Sequence, residues 1–188
     1  MKPTYLFLLA CLPLAAFTYA EWATFSVDEQ LTVQLPTQPT VTDMSKASTA
    51  IPQTVKMFSA QDGAGTYMIL RLAATAPQST MQSGSSRTAF YDGLINGLVR
   101  GQKGVVLSST SFATAGGEGV DVKYRGLDKG TGKMGIKYSR NLVLGAVAYS
   151  LSFYSQDRQD TTGIPGSESR KKFFESLTVK PASTPQKE

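Results

Sequence analysis

Residues 146–155 read AVAYSLSFYS, and this stretch decides the fold because its large and small side chains alternate. Val147, Tyr149, Leu151 and Phe153 share one face of the strand that this period of two predicts. The other face carries only alanine and serine up to residue 152. A strand with large side chains on one side and small ones on the other is predicted to pack on both faces, with another element close to its small side.

Apolar runs bounded by turn residues predict eight further strands. They span residues 22–27, 31–35, 54–60, 66–76, 105–114, 119–127, 133–144 and 177–179. Short glycine-rich turns at 62–65, 116–117 and 128–132 favour hairpins between neighbouring strands. The segments 37–50 and 156–166 are polar, and we predict loops there. Strands joined by hairpins argue for a mainly antiparallel sheet.

Two helices complete the predicted fold. In residues 87–100 two rows of apolar side chains, four residues apart within each row, form a wide apolar stripe. A shorter helix begins at Ser167, with Phe173 and Phe174 on its inner side and basic residues outside. The predicted class is therefore α+β: a mainly antiparallel β-sheet with one long and one short helix packed on it, as an α-β-α sandwich.

The long helix also carries a row of small residues. Ala89, Gly93, Gly97 and Gly101 follow one another at intervals of four. Each glycine inside a helix costs about 1 kcal/mol relative to alanine. We therefore expect the row to have a packing role, namely to let the helix lie close against the sheet.

Residues 1–20 have the three parts of a secretory signal peptide. Lys2 is the positive start, residues 5–17 form an apolar run, and Ala20 provides a small residue for cleavage. The alternative of a membrane anchor is disfavoured because the run is shorter than the roughly 20 residues that span a bilayer. Pro13 would also break a spanning helix. We expect a periplasmic or secreted protein with no transmembrane segment after cleavage.

A second alternative is lipidation at Cys11, whose surroundings loosely resemble a lipobox. It is disfavoured because only ten residues precede this cysteine and the apolar run continues after it. Cleavage after Ala20 would leave a single α+β domain over residues 21–180 and a polar tail over 181–188 that we expect to be disordered.

Composition excludes several function classes. The chain of 188 residues contains no histidine and one cysteine, so Ser-His-Asp and Cys-His catalysis and histidine-based metal sites are ruled out. The net charge of +5 is a mild excess that favours anionic surfaces. Together with export, it does not indicate a nucleic-acid partner. We expect no cofactor.

The motifs that resemble catalytic or ligand sites fit structural roles better. Ser169 to Lys172 matches S-x-x-K without the companion motifs of penicillin-binding enzymes. Residues 116–119 lack the end of a phosphate loop and are interpreted as a hairpin turn. Asp157 and Asp160 offer oxygens for calcium, but the remaining ligands of a calcium loop are missing. We therefore predict no enzyme activity.

The layout of the chain resembles that of PsbP-like proteins. The resemblance is carried by the aromatic strand 148–153, by FFESLTV at 173–179, and by the segments 22–27 and 33–36, which look like the N-terminal hairpin of that family. It implies a Mog1/PsbP-type α-β-α sandwich. The family ranges from photosystem assembly factors to bacterial envelope lipoproteins, so the resemblance implies no particular activity. No functional residue of the family can be placed on this chain.

One surface hypothesis concerns basic residues on two neighbouring strands. If the strands 119–127 and 133–144 pair, Lys123, Arg125, Lys133 and Lys137 are predicted to gather on one exposed face, offset only by Asp121. Such a patch would attract an anionic envelope component, either lipid or protein. The alternative is an ordinary solvated face.

Three functions follow as hypotheses. The leading one is a non-enzymatic exported module that binds another envelope component through its sheet face or edge. The second is a carrier of a small ligand or lipid in a cleft between helix and sheet. The third is a hydrolase that uses two carboxylates about 5 to 10 Å apart, for which no pair in the sequence provides a candidate.

Overall fold

The computed structural model describes residues 21–45, 53–74 and 84–180. Within these ranges the strands are β1 (Ala23–Ser26), β2 (Leu31–Leu35), β3 (Thr40–Asp43), β4 (Gln53–Gln61), β5 (Gly65–Ala74), β6 (Val105–Thr114), β7 (Gly117–Leu127), β8 (Met134–Leu144), β9 (Val147–Ser155) and β10 (Thr178–Val179), and the helices are α1 (Gly84–Arg100) and α2 (Ser167–Glu175). The predicted signal peptide over 1–20 and the tail over 181–188 lie outside the described residues.

Seven strands form one sheet in the order β3-β4-β5-β9-β8-β7-β6, and a small sheet has the order β1-β2-β10. All neighbouring strands pair antiparallel. The predicted α+β class, with one long and one short helix, is confirmed. In the described part of the chain, neither helix is long and apolar enough to cross a membrane.

The larger core lies between the seven-stranded sheet on one side and α2 with the small sheet on the other. The large side chains of β9 point into this core, where Tyr149, Leu151 and Phe153 are buried. Phe173 of α2 meets Tyr67 of β5 there, with ring centroids 5.3 Å apart. The alternation at residues 146–155 therefore grouped these large side chains correctly on one face, because successive side chains of a strand point to opposite sides.

The second core lies on the opposite face of the sheet, under α1. Tyr91, Ile95 and Val99 of the helix pack with Tyr124 of β7 and with Ala148 from the small side of β9. The Tyr91 hydroxyl donates a hydrogen bond to the Glu118 carbonyl at 2.8 Å and accepts one from the Val143 N–H at 3.0 Å. The small face of β9 is thus covered by another element, as predicted.

The small-residue row of α1 faces solvent, so the expectation that it packs on the sheet is wrong. Gly93 and Gly97 are exposed, and a Cβ added at either would meet no atom within 4 Å. The helix instead turns its row of Tyr91, Ile95 and Val99 to the sheet. Burying these side chains removes far more apolar area from water than burying glycine would.

Replacing Gly93 and Gly97 by alanine is expected to stabilise the protein by about 0.5 to 1 kcal/mol for each substitution, since alanine restricts the unfolded chain and fits the open space. Urea unfolding followed by circular dichroism measures the change. Gly104→Ala is the matched control and is expected to lower stability, because its Cβ would clash with the Arg125 carbonyl oxygen. A loss of stability in the Gly93 and Gly97 variants would contradict the exposed placement.

Strand β3 lies inside the segment 37–50 that was predicted to be a loop. Its four residues are all exposed and, among the described residues, pair with β4 alone, at one edge of the large sheet. A strand with no buried side chain has no alternation of apolar and polar residues, which is the signal that sequence analysis uses.

The turn between β1 and β2 is held to the large sheet by Asp28. Its Oδ1 accepts the N–H groups of Gln30 and Leu31 at 2.9 and 3.1 Å. Its Oδ2 accepts Arg71 Nε and the Tyr149 hydroxyl, both at 2.6 Å. Burial opposes ionisation of this carboxyl, but the hydrogen bonds outweigh burial and hold the pKa of Asp28 below its usual value. Asp28 therefore joins the small sheet to the large one.

Candidate functional site: the open edge at β6

Strand β6 is the last strand of the seven-stranded sheet, and within the described residues it pairs with β7 alone. One side of its backbone therefore presents N–H and C=O groups that no described strand uses. The strand is ten residues long and nearly all of it is exposed. Its sequence, VVLSSTSFAT, contains no charged residue.

The two edges of the sheet differ in how they discourage pairing with other chains. Natural sheets protect their edges with short strands, charges, proline or bulges. At the other edge, β3 has four residues and ends at the charged Asp43. Strand β6 is longer and uncharged, and a register shift between Val106 and Ser108 is the one protective device we find in it. It is the more exposed template for an added strand.

Exposed apolar side chains concentrate at the start of β6. Val105, Val106 and Leu107 are 63%, 39% and 46% exposed. They form a run of three, whereas isolated exposed apolar residues are common on any protein surface and need no explanation. A run of this kind on an unpaired edge is a feature of binding sites or of aggregation-prone surfaces.

Two basic residues of β7 stand beside this edge. The register pairs Lys123 with Ser108 and Arg125 with Val105, so each lies one strand in from the edge. The ammonium of Lys123 lies 5.7 Å from the centre of the Tyr138 ring. Among residues 21–45, 53–74 and 84–180, neither cation has a carboxylate within ion-pair distance.

Asp121, which was expected to offset these charges, forms an ion pair with Arg140 instead. Arg140 binds both of its oxygens, with Nε to Oδ1 at 2.8 Å and Nη2 to Oδ2 at 2.7 Å. The guanidinium also lies 4.5 Å from the Phe112 ring centre and 5.3 Å from that of Phe174. Because its carboxylate is already paired, Asp121 leaves the positive charge of Lys123 uncompensated.

The structure separates the four basic residues that were predicted to share one face. Lys123 and Arg125 do share a face of β7, since they alternate with the buried Tyr124. Lys137 pairs with Tyr124, not with Lys123, so it lies on the α1 side of the sheet and is buried. The prediction for Lys137 is therefore wrong. A shift of one residue in register moves every side chain of a strand to the other face.

Lys133 lies in the turn before β8 and does not belong to the strand. Its Nζ donates a hydrogen bond to Gln159 Oε1 at 2.8 Å. It is exposed, as predicted, but it contacts the loop that follows β9. Of the four predicted residues, Lys123 and Arg125 are the two that lie next to the open edge.

The S-x-x-K motif at 169–172 and the carboxylates of Asp157 and Asp160 make contacts that fit structural roles. Lys172 lies 4.9 Å from the Trp22 ring centre. The carboxylates of Asp157 and Asp160 each accept N–H groups of their own loop. The described residues contain no cluster of three side chains suited to a metal ion.

Comparison with known proteins supports the fold. No family model matches the chain, and no curated protein is similar to it in sequence. Among solved structures, the chain is similar to the solution structure of cyanobacterial PsbP (CyanoP) from Synechocystis sp. PCC 6803, with a TM-score of 0.53 and 9% identity. The match covers 88% of this chain and 96% of that one. The fold is therefore PsbP-like, as the segment 173–179 predicted, and identity this low shows the fold alone.

Sequence analysis predicted β6 as a strand but missed that it is an edge. Its pattern of three apolar residues followed by hydroxyl residues has no clear alternation, which is typical of a strand with no buried face. That signal indicates exposure. It does not reveal which strand of a sheet lies last.

Proposed function

We propose that the protein is an exported, non-enzymatic binding module that takes up an extended acidic segment of another envelope component along β6. The observation that carries this proposal is the long, uncharged and unpaired edge beside two cations without carboxylate partners. The expected signal peptide supports a place outside the cytoplasm. The PsbP-like fold is compatible with an accessory role.

Binding at an open edge uses the backbone. An extended segment that lies beside β6 adds an eighth strand to the sheet, and its N–H and C=O groups pair with the free groups of the edge. This pairing provides affinity with little dependence on sequence. The side chains of the added strand alternate between two faces, so the protein can recognise the side chains on each face separately.

The preference for acidic residues comes from Lys123 and Arg125. Neighbouring strands lie about 4.8 Å apart, so an added strand would lie about 10 Å from β7. At the position of Lys123, the small side chain of Ser108 lies between β7 and the added strand. It leaves room for the long side chain of Lys123 to reach the added strand. Carboxylates on the same face of the added segment would then pair with both cations.

The proposal predicts that an extended peptide of alternating valine and glutamate binds more tightly than the matching peptide of valine and lysine. Reversal of both charges, Lys123→Glu with Arg125→Glu, is expected to weaken binding of the glutamate peptide about 5- to 30-fold, since two exposed ion pairs become repulsive contacts. The same variant should bind the lysine peptide more tightly. Isothermal titration calorimetry at low salt measures the affinities, and hydrogen exchange locates the protected amides.

A control variant separates a local effect from net charge. Lys133→Glu with Lys171→Glu changes the charge by the same amount at exposed positions away from the edge, and it should bind the glutamate peptide with at most a small loss. If both double variants lose affinity equally, binding depends on net charge and the role of β6 is wrong. If hydrogen exchange shows protection elsewhere and none in β6, docking at the edge is excluded.

A further inference from the structure

A cleft of about 470 Å³ lies between the C-terminal end of α1 and the large sheet. It is on the face opposite Lys123 and Arg125, so it is separate from the surface used in the proposed docking. Met68 of β5, Leu98 of α1 and Tyr154 of β9 contribute apolar surface to its walls. The volume falls within the range of pockets that hold small molecules.

The buried charged residue of this cleft is Lys137, which is 7% exposed. Its ammonium donates to the side-chain oxygen of Gln102 and to the Leu127 carbonyl, the latter at 3.0 Å. Both acceptors are neutral, and the ammonium lies 5.3 Å from the centre of the Tyr154 ring. An ammonium has three donors. The third therefore has no acceptor among the described residues.

The charges of the residues that line this cleft do not balance. The acid that lines this cleft is Asp128, whose Oδ1 accepts the N–H groups of Gly130 and Thr131 at 3.0 Å each. Its Oδ2 lies 3.8 Å from Arg158, which also donates to a threonine of β5. Lys129 lines the cleft as well, so its lining holds three cations and one carboxylate. Burial, partly offset by Asp128 and reinforced by Arg158, holds the pKa of Lys137 below its usual value.

We infer that this cleft binds a small organic anion with an apolar body, whose anionic head pairs with Lys137 and Arg158 and whose body lies against Met68 and Leu98. A buried ammonium is costly unless an opposite charge accompanies it. An anion that enters the cleft would supply that charge and the missing acceptor. The apolar walls would favour a ligand with an aliphatic or aromatic body over inorganic ions.

The polar groups behind Lys137 hold it in place for such a ligand. Gln102 accepts from the ammonium with its oxygen and donates with Nε2 to the Tyr124 hydroxyl at 3.1 Å. The backbone carbonyl of Gln102 accepts the Leu127 N–H at 2.7 Å. This network links both acceptors of the ammonium, since Gln102 is bonded to Tyr124 and to Leu127. The lysine side chain is thereby positioned before any ligand arrives.

Isothermal titration calorimetry with octanoate, octyl phosphate and octanol tests the inference on the full chain. At least one of the two anions is expected to bind, and octanol should bind at least tenfold more weakly. Whichever of the two anions binds with the higher affinity shows whether the cleft prefers a carboxylate or a phosphate monoester as the anionic head. Lys137→Met should weaken anion binding at least tenfold, in line with the loss of a hydrogen bond between charged groups. Lys133→Met is the matched control and should leave the affinity unchanged.

A second variant keeps the test decisive if Lys137→Met folds poorly. Leu98→Trp places a larger ring at the wall of the cleft, retains Lys137, and is expected to abolish binding. The inference is overturned if neither anion binds, if octanol binds as tightly as the anions, or if both variants retain full affinity. None of these outcomes bears on peptide binding at β6, so the two proposals fail or succeed independently.

Discussion

Replacement of Phe173 by alanine is expected to lower the free energy of unfolding by about 3 to 5 kcal/mol. Phe173 is fully buried and contacts Tyr67 of the large sheet, while its ring centroid lies 5.4 Å from that of Phe174. Its removal would leave a cavity where α2 meets both sheets. A rigid core formed from three elements cannot collapse around the missing ring, which places the loss in the upper part of the range for large-to-small substitutions.

Urea unfolding monitored by circular dichroism and fluorescence measures this loss. Lys171→Ala on the exposed side of the same helix is the control, and it should change stability by no more than about 0.5 kcal/mol. A loss below about 1 kcal/mol for Phe173→Ala would mean that α2 is not seated in the core as described.

Replacement of Asp28 by alanine is expected to cost about 3 kcal/mol, at the lower end of the range for breaking a buried ion pair. The lower end applies because the side chains of Arg71 and Asp28 remain 20% and 16% exposed. The substitution removes the acceptor of Arg71 and Tyr149 together with the cap of two backbone N–H groups. These partners would be left in a partly buried site with only water to replace the carboxylate.

The contribution of Asp28 also depends on pH in a defined direction. Its pKa in the folded protein is held below the value of about 3.9 that applies in the unfolded chain. The ionised carboxylate therefore stabilises the fold fully above the unfolded pKa, and this stability is lost as the pH falls through the folded pKa.

Asp28→Asn tests this linkage because asparagine keeps the shape and removes the charge. The difference in unfolding free energy between the unchanged protein and this variant should be largest above about pH 4 and should shrink as the pH is lowered. Chemical unfolding at a series of pH values measures it. A difference that stays constant down to pH 2 would show that the charge of Asp28 contributes nothing to the fold.

The amino-acid sequence by itself determined the class of the fold and the inner faces of several elements. The alternation in 146–155 predicted that Tyr149 and Phe153 share one face of a strand packed on both sides, and Phe173 and Phe174 were placed on the inner side of α2. These predictions were correct because the orientation of neighbouring side chains along a strand or helix is a local property of the backbone. The hairpin turns were predicted for the same reason.

Tertiary structure alone decided the candidate sites. Which face holds Lys137 depends on the register across the turn 128–133, and a shift of one residue would have placed it beside Lys123. The edge position of β6 depends on the order of seven strands, and the contacts of Asp28 reach Arg71 and Tyr149 from distant parts of the chain. A local sequence pattern predicts which side chains of a segment share a face. Which neighbour covers each face, and which strand is left without one, is settled by packing between segments far apart in sequence.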